Sequence, residues 1–145
     1  MLPTHMDMQL TQPVDDLEAC DRVPNMLAAF QQGQRDFAGI NLENADLSGA
    51  NLAGINLSRA NLRGANLSGT ILTNANLQRV DFQCANLSQA DLCKANLSEA
   101  KLDAANLHAA ILIRAISFIC KAFYATLFEL LSTDLCHLKK GLQLV

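Results

Sequence analysis

Histidine and cysteine are the side chains in this sequence best suited to bind a metal ion or to act as nucleophiles. The three histidines, His5, His108 and His137, are scattered, and none belongs to a ligand motif such as H-E-x-x-H. The five cysteines are odd in number and irregularly spaced, without a C-x-x-C pair: Cys20, Cys84, Cys93, Cys120 and Cys136. We therefore expect no metal site. A reducing cytoplasm suits these thiols best, and the N-terminus lacks the pattern of a signal peptide.

Serine and glycine are the other residues that could form a catalytic or phosphate-binding motif. Serine is abundant but never stands in the G-x-S-x-G context of a nucleophile elbow. The glycines in the middle of the chain recur at multiples of five residues, which indicates turns and not a phosphate-binding loop. The sequence therefore predicts a protein that is not an enzyme and that holds no cofactor.

The element that must position these residues is a five-residue repeat from Asp36 to Leu112. Sixteen consecutive positions five residues apart hold fourteen Leu and two Phe. The residue two before each of them is Ala in eleven cases, and the residue between is Asn or Asp in thirteen. This alternation predicts that Ala and Leu point inward while Asn and Asp point outward. A period of five fits neither a helix nor a flat strand, and it indicates a solenoid with a filled interior and no cavity.

The position two residues after each Leu should form the corner of a coil. In the first half of the repeats it holds all five repeat glycines, together with Asn44 and Asn74. A type II turn needs a positive φ at its third position, which Gly and Asn tolerate best. We therefore predict type II corners in the first half and another turn class from Arg79 onward, where neither residue occurs.

Pentapeptides such as those at 45–49, 60–64 and 95–99 match the pattern A(D/N)LXX, and the sequence closely resembles the pentapeptide-repeat family. The resemblance implies an all-β solenoid, a right-handed quadrilateral β-helix in which four pentapeptides make one coil. About four coils would then span residues 35–114. The residues leading into the repeats resemble those of bacterial, especially cyanobacterial, members. Most members have no assigned function, so the resemblance is specific for fold alone.

The segments on either side of the repeats should cover the ends of the solenoid, which are otherwise open. We predict a loosely ordered segment over residues 1–22 and an N-terminal capping helix over residues 23–34. Residues 115–145 form a largely apolar tail that we expect to be helical. Three interpretations of this tail remain open: a cap that folds over the solenoid, a symmetric homodimer interface, or contact with a membrane. Membrane association is the least favoured because Lys121 lies within the apolar stretch.

Residues twenty apart should stack if four pentapeptides form a coil, so the outer faces can be read from the sequence. The second face then pairs Glu43 with Arg63 and Asp81 with Lys101. The fourth face shows apolar side chains, which usually means that something covers it. The candidate interaction surface comprises these side chains and two corner arginines: Ile71, Cys93, Ile111, Ile113, Arg59 and Arg79. The alternatives are that the tail covers the fourth face and that the arginines are merely solvated.

The charge distribution bears on the choice between two functions. The net charge is −3, and the repeats at 35–114 carry seven acidic and seven basic residues. This balance gives no reason to expect direct binding of nucleic acid. The first hypothesis is a non-catalytic scaffold that binds an unidentified protein partner. The second is a DNA mimic that modulates gyrase, a type II topoisomerase, as in the quinolone-resistance members of the family. A protein that mimics duplex DNA should carry a dense negative charge on its surface. The balanced charge of the repeats therefore disfavours the second hypothesis.

Overall fold

The computed structural model describes residues 19–115, with side chains from residue 21 onward. Helix α1 spans Ala19–Gln31 and is followed directly by the repeats. It begins four residues before the predicted start at residue 23 and continues through Pro24. The loose segment was expected over residues 1–22, but residues 19–22 belong to α1. Residues 1–18 and the tail from residue 116 lie outside the described residues. Within the described part, no helix is long and apolar enough to cross a membrane.

The end of α1 is fixed by a glycine-based cap. Gly33 has a φ of +101°, a conformation that side chains with a Cβ rarely adopt. Its N–H donates to the carbonyl of Phe30 at 3.0 Å, and the N–H of Gln34 donates to the carbonyl of Ala29 at 3.1 Å. This pair of bonds is a Schellman motif, which satisfies the last carbonyls of the helix and turns the chain into the repeats. The helix therefore ends at Gln31, three residues before the predicted end.

The repeats form a ladder of parallel bridges between residues twenty positions apart. Twelve such bridges run from the pair Asp36 and Asn56 to the pair Asp91 and Ile111. Each side of a coil is too short to form a longer strand, because a turn follows immediately on either side. One coil thus takes twenty residues, or four pentapeptides, and the predicted stacking is confirmed.

The interior of the ladder is a column of leucine and alanine side chains. Nearly all Leu and Ala positions of the repeats are buried, and Phe82 fills one Leu position without any exposed surface. Met26 of α1 is also fully buried and joins this core, while Leu27 and Phe30 pack against it. The one buried polar side chain among the described residues is Thr70, whose hydroxyl donates to the carbonyl of Leu47 at 2.8 Å. The inward orientation of Leu and Ala is therefore confirmed.

The Asn and Asp side chains have a structural role that the alternation alone does not reveal. Each accepts, through its Oδ1 atom, the backbone N–H of the residue two positions later, as in an Asx turn. This bond forms at all thirteen positions that hold Asn or Asp, which are 36, 41, 46, 51, 56, 61, 66, 76, 81, 86, 91, 96 and 106. Ile71, Lys101 and Ile111 occupy the other three positions and cannot accept it.

The corners all share one backbone conformation, so the prediction of a different turn class after Arg79 is wrong. The residue two after each Leu has a positive φ at all sixteen corners, from +75° at Gly39 to +58° at Arg114. The reason is the contact between coils. At the twelve corners from Gly39 to Lys94 the corner N–H donates to a carbonyl one coil further on, as in Gly39 to Ser58 at 2.8 Å and Arg79 to Ser98 at 2.9 Å. The last four corners each follow a residue whose carbonyl accepts this bond from the preceding coil. A corner with another conformation would lose this bond.

Candidate interaction surface

The fourth face of the solenoid, called face 4 below, carries the apolar part of the predicted surface. It consists of the outward side chains of the stacked pentapeptides 50–54, 70–74, 90–94 and 110–114. Because bridges join residues twenty apart, these side chains form three columns along the solenoid axis. The columns are Asn51, Ile71, Asp91 and Ile111; then Ala53, Thr73, Cys93 and Ile113; and at the corner Gly54, Asn74, Lys94 and Arg114.

The isoleucines of face 4 are the exposed large apolar side chains of the described chain. Ile71 is 37% exposed, and Ile111 and Ile113 are each 44% exposed. They do not form one continuous apolar patch, since Asp91 is bridged to Ile71 on one side and to Ile111 on the other. Face 4 therefore exposes the isoleucines that the sequence placed there, with a carboxylate between Ile71 and Ile111.

Ile71 and Ile111 stand in a position where the fold favours another residue. Asn or Asp there would accept the backbone N–H two residues on, and isoleucine cannot. Isoleucine at an exposed position also leaves apolar surface in water, which is unfavourable. Neither property stabilises the solenoid.

Cys93 lies half-buried on face 4, where its backbone N–H donates to Asp91 Oδ1 at 3.0 Å. Burial raises the pKa of the Cys93 thiol, and the Asp91 carboxylate raises it further. The backbone N–H of Ile113 and the charge of Lys94 act in the opposite direction but do not prevail. The thiol is therefore held in its protonated form at neutral pH. This suits a side chain that packs against a neighbour and not a nucleophile, which must be a thiolate.

Two basic residues on face 4 were missed in the sequence-based selection. Lys94 and Arg114 are exposed at its corner and lie one coil apart, twenty residues from each other. Like charges placed side by side in a ladder are unfavourable, so this arrangement does not serve stability. Arranging the sequence in rows of twenty would have placed both beside Ile111 and Ile113.

Arg59 and Arg79 do not belong to face 4. They lie at the corner between the first and second faces, which is the corner between pentapeptides 35–39 and 40–44 in the first coil. Arg79 is committed to Glu99 of the next coil, with Nε to Oε2 at 2.7 Å and Nη2 to Oε1 at 3.1 Å. This hydrogen bonding raises the pKa of Arg79 and lowers that of Glu99, to which Arg59 adds a weaker effect. The predicted surface thus divides into two separate regions.

The second face contains one of the two predicted ion pairs. Lys101 Nζ lies 3.7 Å from Asp81 Oδ2, as expected. The predicted pairing of Glu43 with Arg63 is wrong. Arg63 instead donates to Gln83 Oε1 at 2.7 Å, in the following coil, and Glu43 accepts from Asn61 Nδ2 at 3.4 Å. A long arginine side chain can turn toward either neighbouring coil, and the sequence does not determine which.

The described residues do not contain a group of His, Cys, Asp and Glu side chains able to hold a metal ion. Comparison with known families then identifies the fold. Residues 40–79 and 81–116 match the model of pentapeptide repeats, in eight copies. The chain belongs to the pentapeptide repeat family. Members of this family form right-handed β-helices and are generally structural or interaction proteins, and the bridge ladder of this chain agrees with such a β-helix.

Solved structures of other pentapeptide repeat proteins resemble this chain over part of its length. One from the thylakoid lumen of Arabidopsis thaliana is 26% identical over 62% of this chain and 59% of its own, with a TM-score of 0.42. HetL, involved in heterocyst differentiation regulation in the cyanobacterium Nostoc sp. strain PCC 7120, is 33% identical over 63% of this chain and 45% of its own, with a TM-score of 0.33. Another from Nostoc PCC 7120 is 39% identical over 66% of this chain and 78% of its own, with a TM-score of 0.35.

This chain therefore spans less than two thirds of the first two of these proteins. TM-scores at this level add nothing to the family assignment. No curated protein matches the sequence.

Proposed function

We propose that this pentapeptide repeat protein is a non-catalytic interaction or structural scaffold that binds a protein partner through face 4. In this proposal the β-helix has about four coils, with α1 as its N-terminal cap and a helical C-terminal segment. The free thiols of Cys84 and Cys93 are consistent with the reducing, cytoplasmic location that we also propose.

One observation carries the proposal. At positions 71 and 111 the chain has isoleucine where every Asn or Asp of the repeats makes an Asx bond. Both isoleucines lie on face 4 and are exposed. An exposed apolar residue that replaces a structurally useful polar one is best explained by contact with another molecule or segment. A protein partner fits because the surrounding side chains are a mixture of apolar, acidic and basic groups, as at the rim of a protein interface.

A role in DNA mimicry finds less support. The repeats carry seven acids and seven bases, and face 4 contributes Asp91 against Lys94 and Arg114. The acidic residues do not form the continuous negative rows that would imitate the phosphates of a duplex. We therefore expect no inhibition of gyrase in a supercoiling assay. Inhibition at stoichiometric concentrations of the protein would favour the topoisomerase hypothesis instead.

The experiment that tests the proposal compares partner capture by three proteins: the wild type, Ile71→Asn and the control Ser68→Asn. The Ile71→Asn change removes the apolar side chain and restores an acceptor for the Thr73 N–H, so the fold should be retained. Ser68→Asn is an equally small change on the third face. Candidate partners identified by quantitative mass spectrometry are then purified and their affinities measured by calorimetry.

We expect the wild type and Ser68→Asn to bind a common partner with equal affinity. Ile71→Asn should bind it at least about tenfold more weakly, because a few residues at the centre of an interface carry most of the binding energy. Equal binding by all three proteins would show that face 4 is not the interface. Thermal melts should show that all three proteins are fully folded at the temperature of the binding assay.

A further inference from the structure

The backbone in the first column of face 4 is already hydrogen bonded between coils. The N–H groups of Ile71 and Asp91 donate to the preceding coil, each at 2.9 Å, and their carbonyls accept from it, each at 2.8 Å. Ile111 is bonded in the same way, with both distances 2.8 Å. A partner strand adds to a sheet through unpaired backbone groups at an edge, and these three residues offer none. Recognition of this column must therefore rely on side chains.

The isoleucines of this column are two coils apart. Neighbouring strands of a ladder are separated by about 4.8 Å, so Ile71 and Ile111 lie roughly 10 Å apart along the solenoid axis, with Asp91 midway between them. Both isoleucines are exposed and Asp91 is half-buried. The order of side chains along the axis is therefore apolar, acidic and apolar.

The charged side chains of face 4 are arranged so that a partner can complement them. Asp91 Oδ1 accepts the N–H of Cys93, and neither ion pair found within residues 21–115 involves Asp91. Lys94 and Arg114 are exposed at the corner of the same face, one coil or about 4.8 Å apart along the axis. A complementary partner would bring a base to Asp91 and acidic groups to the two corner residues.

An α-helix lying along the solenoid axis reproduces these spacings. Residues i and i+7 lie on one face of a helix about 10.5 Å apart, which matches the distance between Ile71 and Ile111. Residues i+3 and i+4 lie midway between them and would stand opposite Asp91. Acidic residues three or four apart on the flank are about 4.5–6 Å apart along the axis, close to the separation of Lys94 and Arg114. A strand repeats its side chains on one face every ~6.7 Å and fits neither distance.

We propose that the protein partner of face 4 presents an amphipathic α-helix that lies along the solenoid axis. In this proposal, which rests on the proposed function of face 4, two apolar residues seven apart in the helix contact Ile71 and Ile111. A lysine or arginine between them faces Asp91, and acidic residues on one flank face the cations at the corner. The partner is thus held by one face of a helix and not by strand addition.

Three synthetic peptides test this proposal without the natural partner. The matched peptide is a stapled helix of about five turns, with two leucines seven residues apart, a lysine between them and glutamates on one flank. The displaced peptide has the same composition with one leucine moved by two residues, which places the leucines on different faces. The acidic peptide has glutamate in place of the central lysine. Binding of each peptide to the full chain is measured by fluorescence anisotropy.

The protein variants are Asp91→Lys and the matched control Asp46→Lys. Asp46 occupies on the third face the position that Asp91 occupies on face 4, and each accepts the backbone N–H two residues later. Both variants therefore change the net charge equally and lose an Asx bond. Lys101 stands at the equivalent position of the second face, so the solenoid accommodates lysine there. Circular dichroism confirms that both variants are folded at the temperature of the assay.

We expect the matched peptide to bind the wild type and Asp46→Lys equally, and to bind Asp91→Lys at least about fivefold more weakly, because an attraction becomes a repulsion. The acidic peptide should bind Asp91→Lys more tightly than the wild type. The displaced peptide should bind the wild type at least about tenfold more weakly than the matched peptide does, because it loses one apolar anchor.

Three results would overturn the proposal. One is failure of the full chain to bind the matched peptide, or equal binding of the matched and displaced peptides. Another is a preference between the matched and acidic peptides that Asp91→Lys leaves unchanged. The third is a dimer of the full chain, seen by light scattering, that Ile71→Asn abolishes, since it would assign face 4 to a second copy of the chain.

The peptide result is independent of the capture experiment. Natural-partner binding that weakens in Ile71→Asn, together with equal binding of the three peptides, would support the proposed function and refute the helix. Peptide preferences that follow the charge at Asp91, together with natural-partner binding unchanged in Ile71→Asn, would refute the proposed function and leave face 4 as a surface that fits a helix.

Discussion

The corners of the first and second halves of the solenoid have the same backbone and different residues. From Gly39 to Asn74 the eight corners are five glycines, two asparagines and Arg59, with φ between +56° and +75°. From Arg79 to Arg114 the eight corners contain neither glycine nor asparagine, and φ lies between +57° and +60°. The comparison teaches that stacking between coils determines the corner conformation, and that local propensity determines only how much strain the corner carries.

The two halves should therefore differ in stored strain. A residue with a Cβ in the left-handed region is disfavoured by about 1–2 kcal/mol relative to its usual conformation. Glycine avoids this strain, but it loses more conformational entropy on folding. The second half tolerates the strain because the carbonyl just before each of its corners accepts the corner N–H of the preceding coil, as in Gln89 to His108 at 2.8 Å and Lys94 to Ile113 at 2.9 Å.

The largest expected effect concerns the core, where the two halves should not differ. Leu57 and Leu92 are both completely buried, one in each half. We expect Leu57→Ala and Leu92→Ala each to lower the free energy of unfolding by about 2–5 kcal/mol, because each removes buried apolar surface and leaves a cavity. Urea denaturation of the two variants measures this. A much smaller loss for Leu92→Ala would mean that the second half is loosely packed, and the comparison of corners would fail.

A smaller effect is expected when a glycine corner of the first half receives a Cβ. Gly54 has a φ of +74°, and a Cβ there would meet no atom within 4 Å, so only backbone strain opposes the change. We expect Gly54→Ala to lower the free energy of unfolding by about 0.5–1 kcal/mol, the strain less the entropy recovered in the unfolded chain. Ala53→Gly, at the neighbouring non-corner position, is the matched control for the entropy change. Stabilisation by Gly54→Ala would contradict the strain assigned to these corners.

The reverse change in the second half should stabilise the protein by a similar amount. Ala104 and Ala109 are exposed corners with φ of +57°. Replacing either by glycine relieves the left-handed strain, and we expect a gain of about 0.5–1 kcal/mol in the free energy of unfolding. The melting temperature should rise accordingly. Destabilisation in both variants would show that alanine carries no backbone strain in the left-handed region at these positions.

The smallest effect concerns the charged corner. Hydrogen bonding to Arg79 holds the pKa of Glu99 below its usual value. A group with a lowered pKa in the folded state contributes stability above its unfolded pKa and loses it as the pH falls through the folded pKa. We therefore expect the wild type to lose slightly more stability than Glu99→Gln on acidification from neutral pH to below the usual glutamate range. The pair is exposed by 47% and 54%, so salt should abolish the difference. A difference that survives molar salt would contradict this origin.

The features that follow from the five-residue period could be predicted from the sequence. The features that depend on contacts between neighbouring coils could not. The buried Leu and Ala positions and the stacking of residues twenty apart follow from sixteen uninterrupted repeats. The corners after Arg79 were predicted wrongly because the prediction used the propensity of each residue alone. Residue propensity leaves out the hydrogen bonds from the preceding coil. Through these bonds the turns at Gly69 and Asn74 are repeated one coil later, at corners that hold neither glycine nor asparagine.

The candidate surface was likewise predicted only in part. Ile71, Cys93, Ile111 and Ile113 lie on one face, as the sequence indicated. Their separation by Asp91 follows from the same columns but was not recognised, since attention fell on apolar residues alone. The Asx bonds, which show why isoleucine at positions 71 and 111 is unusual, involve side-chain orientation that alternation does not specify.

The most direct test of the central claim is to move a glycine corner from the first half to the second. The double variant Gly54→Ala/Ala104→Gly keeps the composition of the chain, and its two sites lie in different pentapeptides of different faces. If stacking imposes the same conformation on both corners, the strain gained at one equals the strain relieved at the other. Urea denaturation should then give a free energy of unfolding within about 0.5 kcal/mol of the wild type, the usual limit of additivity. A net loss of more than about 1 kcal/mol would show that the corners of the two halves are not equivalent, and it would contradict the claim.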